Sequence, residues 1–176
     1  RNADPRYNGY AEAALSPWWA LSHPPIQVLI LRATIRQSNH DFDNALADLA
    51  LALQFDPNNA QAWVTQALIF QARGEYDKAK QSCIHLHPLS TELVTVTCLA
   101  GVGSLAGQAE QSFNLLKKIV DQSGRATPDE LLWAHTVLAE IADRMGKPHV
   151  AEAQFQHAFS LKIRDPYLLG VYADFL

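Results

Sequence analysis

The segment from residue 26 to about residue 93 carries one sequence pattern twice, at a spacing of 34 residues. Each copy contains an apolar-periodic helix, a turn around His40 or Gly74, and a second helix. The aligned pairs are Leu29 with Trp63, Ala33 with Ala67, Phe42 with Tyr76, and Ala45 with Ala79. A helix–turn–helix unit that recurs at this period predicts an array of stacked helix pairs rather than a closed catalytic fold.

Composition restricts the partners that such an array can take. Apolar residues make up 48% of the chain, which excludes general disorder. The formal net charge is −4, and no basic run is longer than Lys117-Lys118. We therefore expect no nucleic-acid partner, because phosphate binding needs a concentrated basic face. The longest apolar runs, such as residues 26–31, are far shorter than the roughly 20 residues that span a bilayer, so no transmembrane segment is predicted.

Helix-start patterns and two fainter copies extend the array in both directions. Asp4-Pro5, Thr127-Pro128 and Asp165-Pro166 each join an N-cap residue to a proline at the first helical position. The predicted organisation is one solenoid domain with capping helices at 1–25, repeat units at 26–59, 60–92, 93–127 (degenerate) and 128–164, and the start of a truncated helix at 165–176. Within the first segment, we expect a break at Ser16-Pro17 before a short helix that carries Trp18 and Trp19.

The ends of the sequence suggest an excerpt. The chain begins at Arg1 and stops at Leu176 within an apolar-periodic segment. We therefore expect a piece of a longer protein.

A set of aromatic and small residues in the two clear copies supports a family resemblance. These residues are Trp63, Ala67, Gly74, Tyr76 and Ala79, preceded by Ala45, Ala52 and Asp56-Pro57. In this pattern the chain resembles the tetratricopeptide repeat (TPR) family, in its bacterial multi-repeat form. The resemblance implies an all-α, right-handed α-solenoid of about four antiparallel helix pairs, with partial helix units at both ends. Arg32 and Gln66 depart from the family pattern, which usually has leucine there.

The resemblance also implies a concave groove lined by the first helix of each pair. Carried over by position, the lining residues are Gln27, Ile30, Thr34, Gln37, Gln61, Val64, Leu68, Gln71, Val94, Thr97, Trp133, Thr136 and Glu140. Side-chain amides suit the backbone of an extended peptide, and Trp133 suits an apolar anchor. The alternative is that glutamine and threonine merely keep an unused groove soluble. The positions at which one TPR subgroup holds a carboxylate tail carry no positive charge here, which excludes that activity.

Candidate chemistry is sparse. The chain has no phosphate-binding glycine loop and no nucleophile elbow. Cys83, His85 and His87 are metal-ligand types, but alternate residues on a helix point about 200° apart and converge only if the helix has unwound. We therefore predict neither a metal nor a cofactor. For Arg32 and Arg36, we expect pairing with an aspartate of the partner helix, Asp43 or Asp48, rather than with a ligand.

The two cysteines leave a choice open. Cys83 and Cys98 fall on helices that neighbour each other in the inferred packing, so a disulfide is geometrically feasible. Two buried free thiols are the alternative. A bridge would indicate a periplasmic or other extracytoplasmic protein, and free thiols a cytoplasmic one.

Three functional hypotheses follow from these features. The first is a non-enzymatic scaffold that binds a peptide or protein segment in its groove. The second is a self-assembly or packing module of a larger cell-envelope protein, which associates through apolar ends at Trp18-Trp19 and Tyr172–Phe175. The third is a metal-dependent enzyme that uses Cys83, His85 and His87. The repeat pattern favours the first.

Overall fold

The computed structural model describes residues 6–176, with side chains from residue 8 onwards, and in this part of the chain it contains helices and no strand. The helices are α1 (Arg6–Trp19), α2 (Ile26–Ser38), α3 (Phe42–Phe55), α4 (Ala60–Ala72), α5 (Tyr76–Ile84), α6 (Glu92–Leu105), α7 (Ala109–Gln122), α8 (Pro128–Arg144), α9 (Pro148–Ser160) and α10 (Pro166–Phe175). The all-α prediction is confirmed. None of the helices described is both long and apolar enough to cross a membrane.

The helices belong to two compact units, residues 6–89 and Ser90–Leu176. In the first unit, α2 packs against α3, α4 packs against α5, and α1 lies on α2. In the second unit, α6 packs against α7, α8 packs against α9, and α10 contacts both α8 and α9. The first helices of successive pairs also touch, α2 with α4 and α6 with α8. The repeat boundaries and the single-solenoid organisation stay predictions.

Small residues let the paired helices of both units approach closely. In the first unit Ala33, Ala45 and Ala52 are completely buried between larger aliphatic side chains. The second unit buries a corresponding row of alanines on α8 and α9, namely Ala134, Ala139, Ala142, Ala151 and Ala158. Because a methyl side chain adds so little thickness, helices in contact through such rows pack at the short end of the usual interaxial range.

Aromatic rings attach the last helix to the second unit. The Phe155 ring of α9 lies 5.1 Å from the ring of Tyr172 and 5.3 Å from that of Phe175, centroid to centroid. Tyr172 also meets Phe159 edge-on at 5.0 Å. These tilted and edge-on arrangements are the favoured ones for aromatic pairs. The predicted apolar end at Tyr172–Phe175 is therefore packed within its own unit.

Capping residues begin several helices where the sequence predicts a start. Asn59 accepts a hydrogen bond from the backbone of Ala62 at the start of α4. Thr127 and Glu130 form a complete capping box at the start of α8. Asp165 accepts a bond of 2.7 Å from the backbone N–H of Leu168 in α10. Each cap satisfies an N–H that has no partner within its helix.

The N-terminal helix differs from the prediction. Asp4 and Pro5 lie outside the described residues, as does the side chain of Tyr7. No break occurs at Pro17, because α1 continues through it to Trp19. Proline lacks the N–H that would bond to the carbonyl four residues earlier, so α1 loses one hydrogen bond in its last turn and continues for only two residues beyond Pro17.

Candidate functional site

The first unit contributes the amide-bearing part of the predicted groove, on α2 and α4. Gln27, Thr34 and Gln61 are exposed. Half-buried positions complete this part, namely Gln37, Val64, Leu68 and Gln71. Ile30 is 8% exposed and belongs to the core of the unit, so its side chain does not face solvent as the sequence analysis expected.

Most of these amides have no intramolecular role. Gln61 donates to the hydroxyl of Thr65 at 3.2 Å, within its own helix. The side chains of Gln27, Gln37 and Gln71 make no hydrogen bond to any residue from 8 to 176. An exposed amide carries one acceptor and two donors, which suits the C=O and N–H groups of an extended backbone.

In the second unit, two hydrogen bonds fix the register of α6 and α8. The Thr91 hydroxyl donates to Glu130 at 2.7 Å near the start of the two helices, and Arg144 donates to the Ser104 hydroxyl at 2.9 Å near their end. These contacts join residues 39 and 40 positions apart, so the helices run parallel. Val94 and Trp133, also 39 positions apart, thus occupy corresponding positions, and both are half-buried.

Two threonines of the predicted lining are not available to a ligand. Thr97 and Thr136 are buried, with 0% and 2% exposure. Their hydroxyls donate to the carbonyl oxygens of Leu93 and Leu132, four residues earlier in the same helices, at 2.7 and 2.8 Å. A helical periodicity alone could not distinguish these inward positions from groove positions, because the sequence around Thr97 is apolar or small on every side of α6.

Glu140, at the far end of the predicted lining, is half-buried on α8. The Tyr167 hydroxyl of α10 donates to its Oε1 at 2.8 Å. Burial raises the pKa of the Glu140 carboxyl, and this effect exceeds the opposing effects of the Tyr167 hydrogen bond and the Arg144 charge. Burial and the nearby Glu140 charge also raise the pKa of Tyr167, which keeps that hydroxyl protonated as a donor. No pattern in the sequence predicts this contact, because Glu140 and Tyr167 lie in different helices.

Arg32, at a position where the family usually has leucine, has a structural role. Its Nε and Nη2 atoms donate to the two oxygens of Asp48 at 2.8 and 2.6 Å, and Arg36 adds a third bond at 2.6 Å. Arg32 also donates to the backbone carbonyls of Trp19 and Leu21, which ties the end of α1 to α2. The expected pairing with Asp48 is confirmed, whereas Asp43 pairs with Arg73 instead.

The histidines near Cys83 do not form a metal site. Among residues 8–176, no group of three or more histidine, cysteine or acidic side chains is arranged to hold a metal ion. The His85 ring stacks on Trp63, with ring centroids 4.1 Å apart. Cys83 is completely buried on α5.

Two histidines that are distant in sequence meet in the second unit. The rings of His135 on α8 and His157 on α9 stack with centroids 5.2 Å apart, and His135 Nδ1 lies 2.9 Å from the side-chain oxygen of Gln154. Burial lowers the pKa of His135, a change that the Gln154 hydrogen bond only partly opposes. The two histidines are 22 residues apart in different helices, so no sequence pattern pairs them.

The cysteines lie in different units and are both buried, Cys83 at 0% and Cys98 at 4% exposure. Neither is a free thiol. Their pairing with each other stays a prediction, as does the compartment that it would indicate.

Comparison with solved structures identifies the class of fold. Over 88% of its length the chain superposes on a tetratricopeptide repeat protein from Parabacteroides merdae, with a TM-score of 0.71 and 19% identity. It spans 60% of that protein's length. A thermophilic TPR protein from Thermus thermophilus matches 96% of this chain and 88% of its own, with a TM-score of 0.70 and 17% identity. This chain therefore has the TPR fold.

A third match, described as "MamA RS-1 ArsTM double mutant", covers 91% of this chain and 86% of its own length, with a TM-score of 0.54 and 14% identity. No protein-family model and no curated protein matches the sequence. The resemblance stated from the sequence is thus confirmed as a likeness of fold. Solenoids of this kind provide extended surfaces for protein interaction in general.

Proposed function

We propose that this chain is a non-enzymatic scaffold that binds an extended peptide or protein segment on the first helices of its pairs, which are α2 and α4 in the first unit and α6 and α8 in the second. The observation that carries the proposal is the set of amides on α2 and α4 that have no intramolecular hydrogen-bond partner among the described residues. Gln27, Gln37 and Gln71 present donors and acceptors without a charge. Such groups suit a main chain, whose N–H and C=O groups need partners wherever water is displaced.

A selection experiment tests the proposal. The full chain is immobilised and exposed to a displayed library of random short peptides, and the affinities of the recovered peptides are then measured by calorimetry. Joint replacement Gln37→Ala with Gln71→Ala removes two of the amides without an intramolecular partner, each worth about 1 kcal/mol, so we expect roughly 30-fold weaker binding.

Gln81→Ala is the matched control, because Gln81 is an exposed glutamine on the second helix α5. It should leave the affinity unchanged. Equal effects of the control and the double variant would contradict the proposed face, and recovery of no peptide would contradict the proposed function.

The self-assembly hypothesis has a separate test. Trp18 is 39% exposed, whereas the rings of Tyr172 and Phe175 pack on Phe155 within their unit. Because one of the two proposed apolar ends is already packed within its own unit, light scattering over a wide concentration range should report a monomer. A mass that rises with concentration would favour association through the exposed apolar residues instead.

A further inference from the structure

Within the proposed function, we infer that the second unit recognises a cationic side chain, lysine or arginine, of the bound segment, with Glu140 as its counter-ion and Tyr167 as the residue that positions the carboxylate. The inference therefore rests on peptide binding along the first helices. It adds to that proposal the charge of the bound segment and the spacing of its anchors.

The geometry places an acid and an aromatic ring on one face. Trp133 and Glu140 are seven residues apart on α8, which is two helical turns, so their side chains project in nearly the same direction. Both are half-buried, so each retains solvent-accessible surface. The Tyr167 hydroxyl donates a hydrogen bond to Oε1 of Glu140 and thereby limits the rotation of the carboxylate.

The charge of Glu140 is incompletely compensated. Arg144 is the one cation that acts on it among the described residues, and its guanidinium donates to the Ser104 hydroxyl rather than to the carboxylate. Oε2 of Glu140 accepts no hydrogen bond from residues 8–176. Asp48 shows the opposite situation, since it accepts three hydrogen bonds from two arginines. A half-buried carboxylate without a paired cation gains free energy when a ligand supplies one.

The raised pKa of Glu140 agrees with this account. A carboxyl whose burial outweighs its favourable contacts has a destabilised ionised form. A lysine or arginine of the ligand, placed at Oε2, would reverse that balance.

The spacing of the two side chains sets the pattern expected in the ligand. Two turns of helix cover about 10.5 Å along the axis. An extended segment that runs along the axis of α8 where it meets the second unit advances about 3.3 Å per residue, so about three residues cover the same length. The bound segment should thus carry an apolar or aromatic residue against Trp133 and a basic residue about three positions away at Glu140.

The test compares the composition of peptides selected by the full chain and by variants. Wild-type protein should enrich lysine or arginine about three positions from an apolar residue, relative to the unselected library. Glu140→Gln retains an acceptor for Tyr167 and removes the charge, so the basic preference should vanish while peptides are still recovered. Peptides selected by the wild type should bind Glu140→Gln about tenfold more weakly, the usual loss for a hydrogen bond to a charged group.

Glu152→Gln provides the matched control. Glu152 also accepts a hydrogen bond from a tyrosine hydroxyl, that of Tyr172, but it lies on the second helix α9. Since the chain is acidic in total, this variant separates a specific counter-ion from general attraction to basic peptides. It should retain the basic preference.

Four results would overturn the inference. A wild-type pool with no basic enrichment, or an enrichment that persists in Glu140→Gln, removes it and leaves peptide binding intact. An equal loss of the basic preference in Glu152→Gln would show that the preference comes from the overall negative charge of the protein and not from Glu140. Failure to recover any peptide removes the proposed function and this inference together.

Discussion

Two carboxylates of this protein differ in how completely their charges are paired, and the difference separates the structural role of Asp48 from the binding role that we propose for Glu140. Asp48 is 5% exposed, with each oxygen bonded to a guanidinium. Glu140 accepts one hydrogen bond, from the neutral hydroxyl of Tyr167, and its other carboxylate oxygen has no protein partner among the described residues. Complete pairing makes a buried charge tolerable inside a fold, whereas incomplete pairing leaves binding energy for a ligand.

Replacement of the paired carboxylate should destabilise the first unit strongly. Asp48→Ala removes the carboxylate that Arg32 and Arg36 share, and Arg32 is only 5% exposed and has no other ion pair among the described residues. We expect a loss of about 3 to 5 kcal/mol in the free energy of unfolding, measured by urea denaturation. Asp43→Ala is the control, because its ion pair with Arg73 lies at the surface, and it should cost less than about 1 kcal/mol. Similar losses for both variants would contradict the assigned role of Asp48.

Replacement of Glu140 should have the opposite effect on stability. Its raised pKa means that the folded state binds this proton more tightly than the unfolded state does. The contribution to stability is therefore fully present below the ordinary carboxyl pKa and is lost as pH rises through the raised value. Near neutral pH, Glu140→Gln removes the destabilised charge and should raise the melting temperature while it weakens peptide binding. A lowered melting temperature would show that the carboxylate stabilises the fold.

The stacked histidines should make stability depend on pH in the other direction. The pKa of His135 is lowered, so the folded state holds this proton less tightly than the unfolded state. The stability that neutral His135 contributes to the folded state is fully present above the ordinary histidine pKa of about 6.5. It is lost as pH falls from that value through the lowered pKa of His135. The groups that face His135 are Gln154 and His157 on α9, with Lys117 and Asp121 on α7.

The measurement is thermal unfolding at a series of pH values below neutrality. His135→Asn should reduce the loss of stability on acidification, because the substituted side chain does not titrate. His149→Asn, at an exposed position of α9, should leave the loss unchanged. An identical pH dependence in wild type and His135→Asn would contradict the assignment.

At the scale of the helix pair, the turns show how far the sequence pattern determines the structure. Gly74, Gly107 and Gly146 end the first helices of three pairs with φ of +72°, +86° and +67°. His40 occupies the corresponding turn of the remaining pair with φ of +60°. The sequence alignment located this turn correctly. The alignment did not predict that His40, a residue with a Cβ, adopts the left-handed backbone conformation, which is strained for residues other than glycine.

His40→Gly should therefore stabilise the protein. The substitution removes roughly 1 kcal/mol of strain, partly offset by the greater freedom of glycine in the unfolded chain, so we expect a net gain of about 0.5 kcal/mol. Gly74→Ala, the reverse kind of change at the equivalent turn, should cost about 1 kcal/mol. Urea denaturation measures both. A loss of stability in His40→Gly would show that its edge contact with Phe42 outweighs the strain.

The residues at which helices begin could be predicted from the sequence more readily than the side of each helix that is buried. Capping at Asn59, Thr127 and Asp165 depends on local chemistry and appears where the residues predict it. The face of α2 was harder to assign, because five of its first six residues are apolar. Leu31 is 54% exposed, whereas Arg32, next to it, is buried through its bonds to Asp48. Contacts with other helices decide such positions, and local sequence does not encode them.

At the scale of the whole molecule, the period of 34 residues was enough to predict the fold class, because each repeated unit must bury its apolar face against a neighbour. The candidate site was less accessible to prediction. Family alignment supplied Gln61, Trp133 and Glu140 as surface positions, but also the buried Thr97 and Thr136. The Tyr167–Glu140 bond joins positions 27 residues apart in different helices, and no periodic pattern connects them.

The cysteine pair provides a prediction for the whole chain. If Cys83 and Cys98 are bridged, thiol titration of the unreduced, denatured protein should find no reactive thiol. Closure of a loop of about 15 residues lowers the entropy of the unfolded chain, so reduction should decrease the free energy of unfolding by about 3 kcal/mol. Two reactive thiols, or a stability that reduction does not change, would contradict the bridge.

Hydrogen–deuterium exchange of the full chain, with and without a peptide from the selection, tests most directly whether the first helices form the binding face. Binding along that face should slow exchange in α2, α4, α6 and α8, and leave exchange in the second helices α3, α5, α7 and α9 unchanged. Protection confined to the second helices, or protection in neither set by a peptide that binds, would contradict the account.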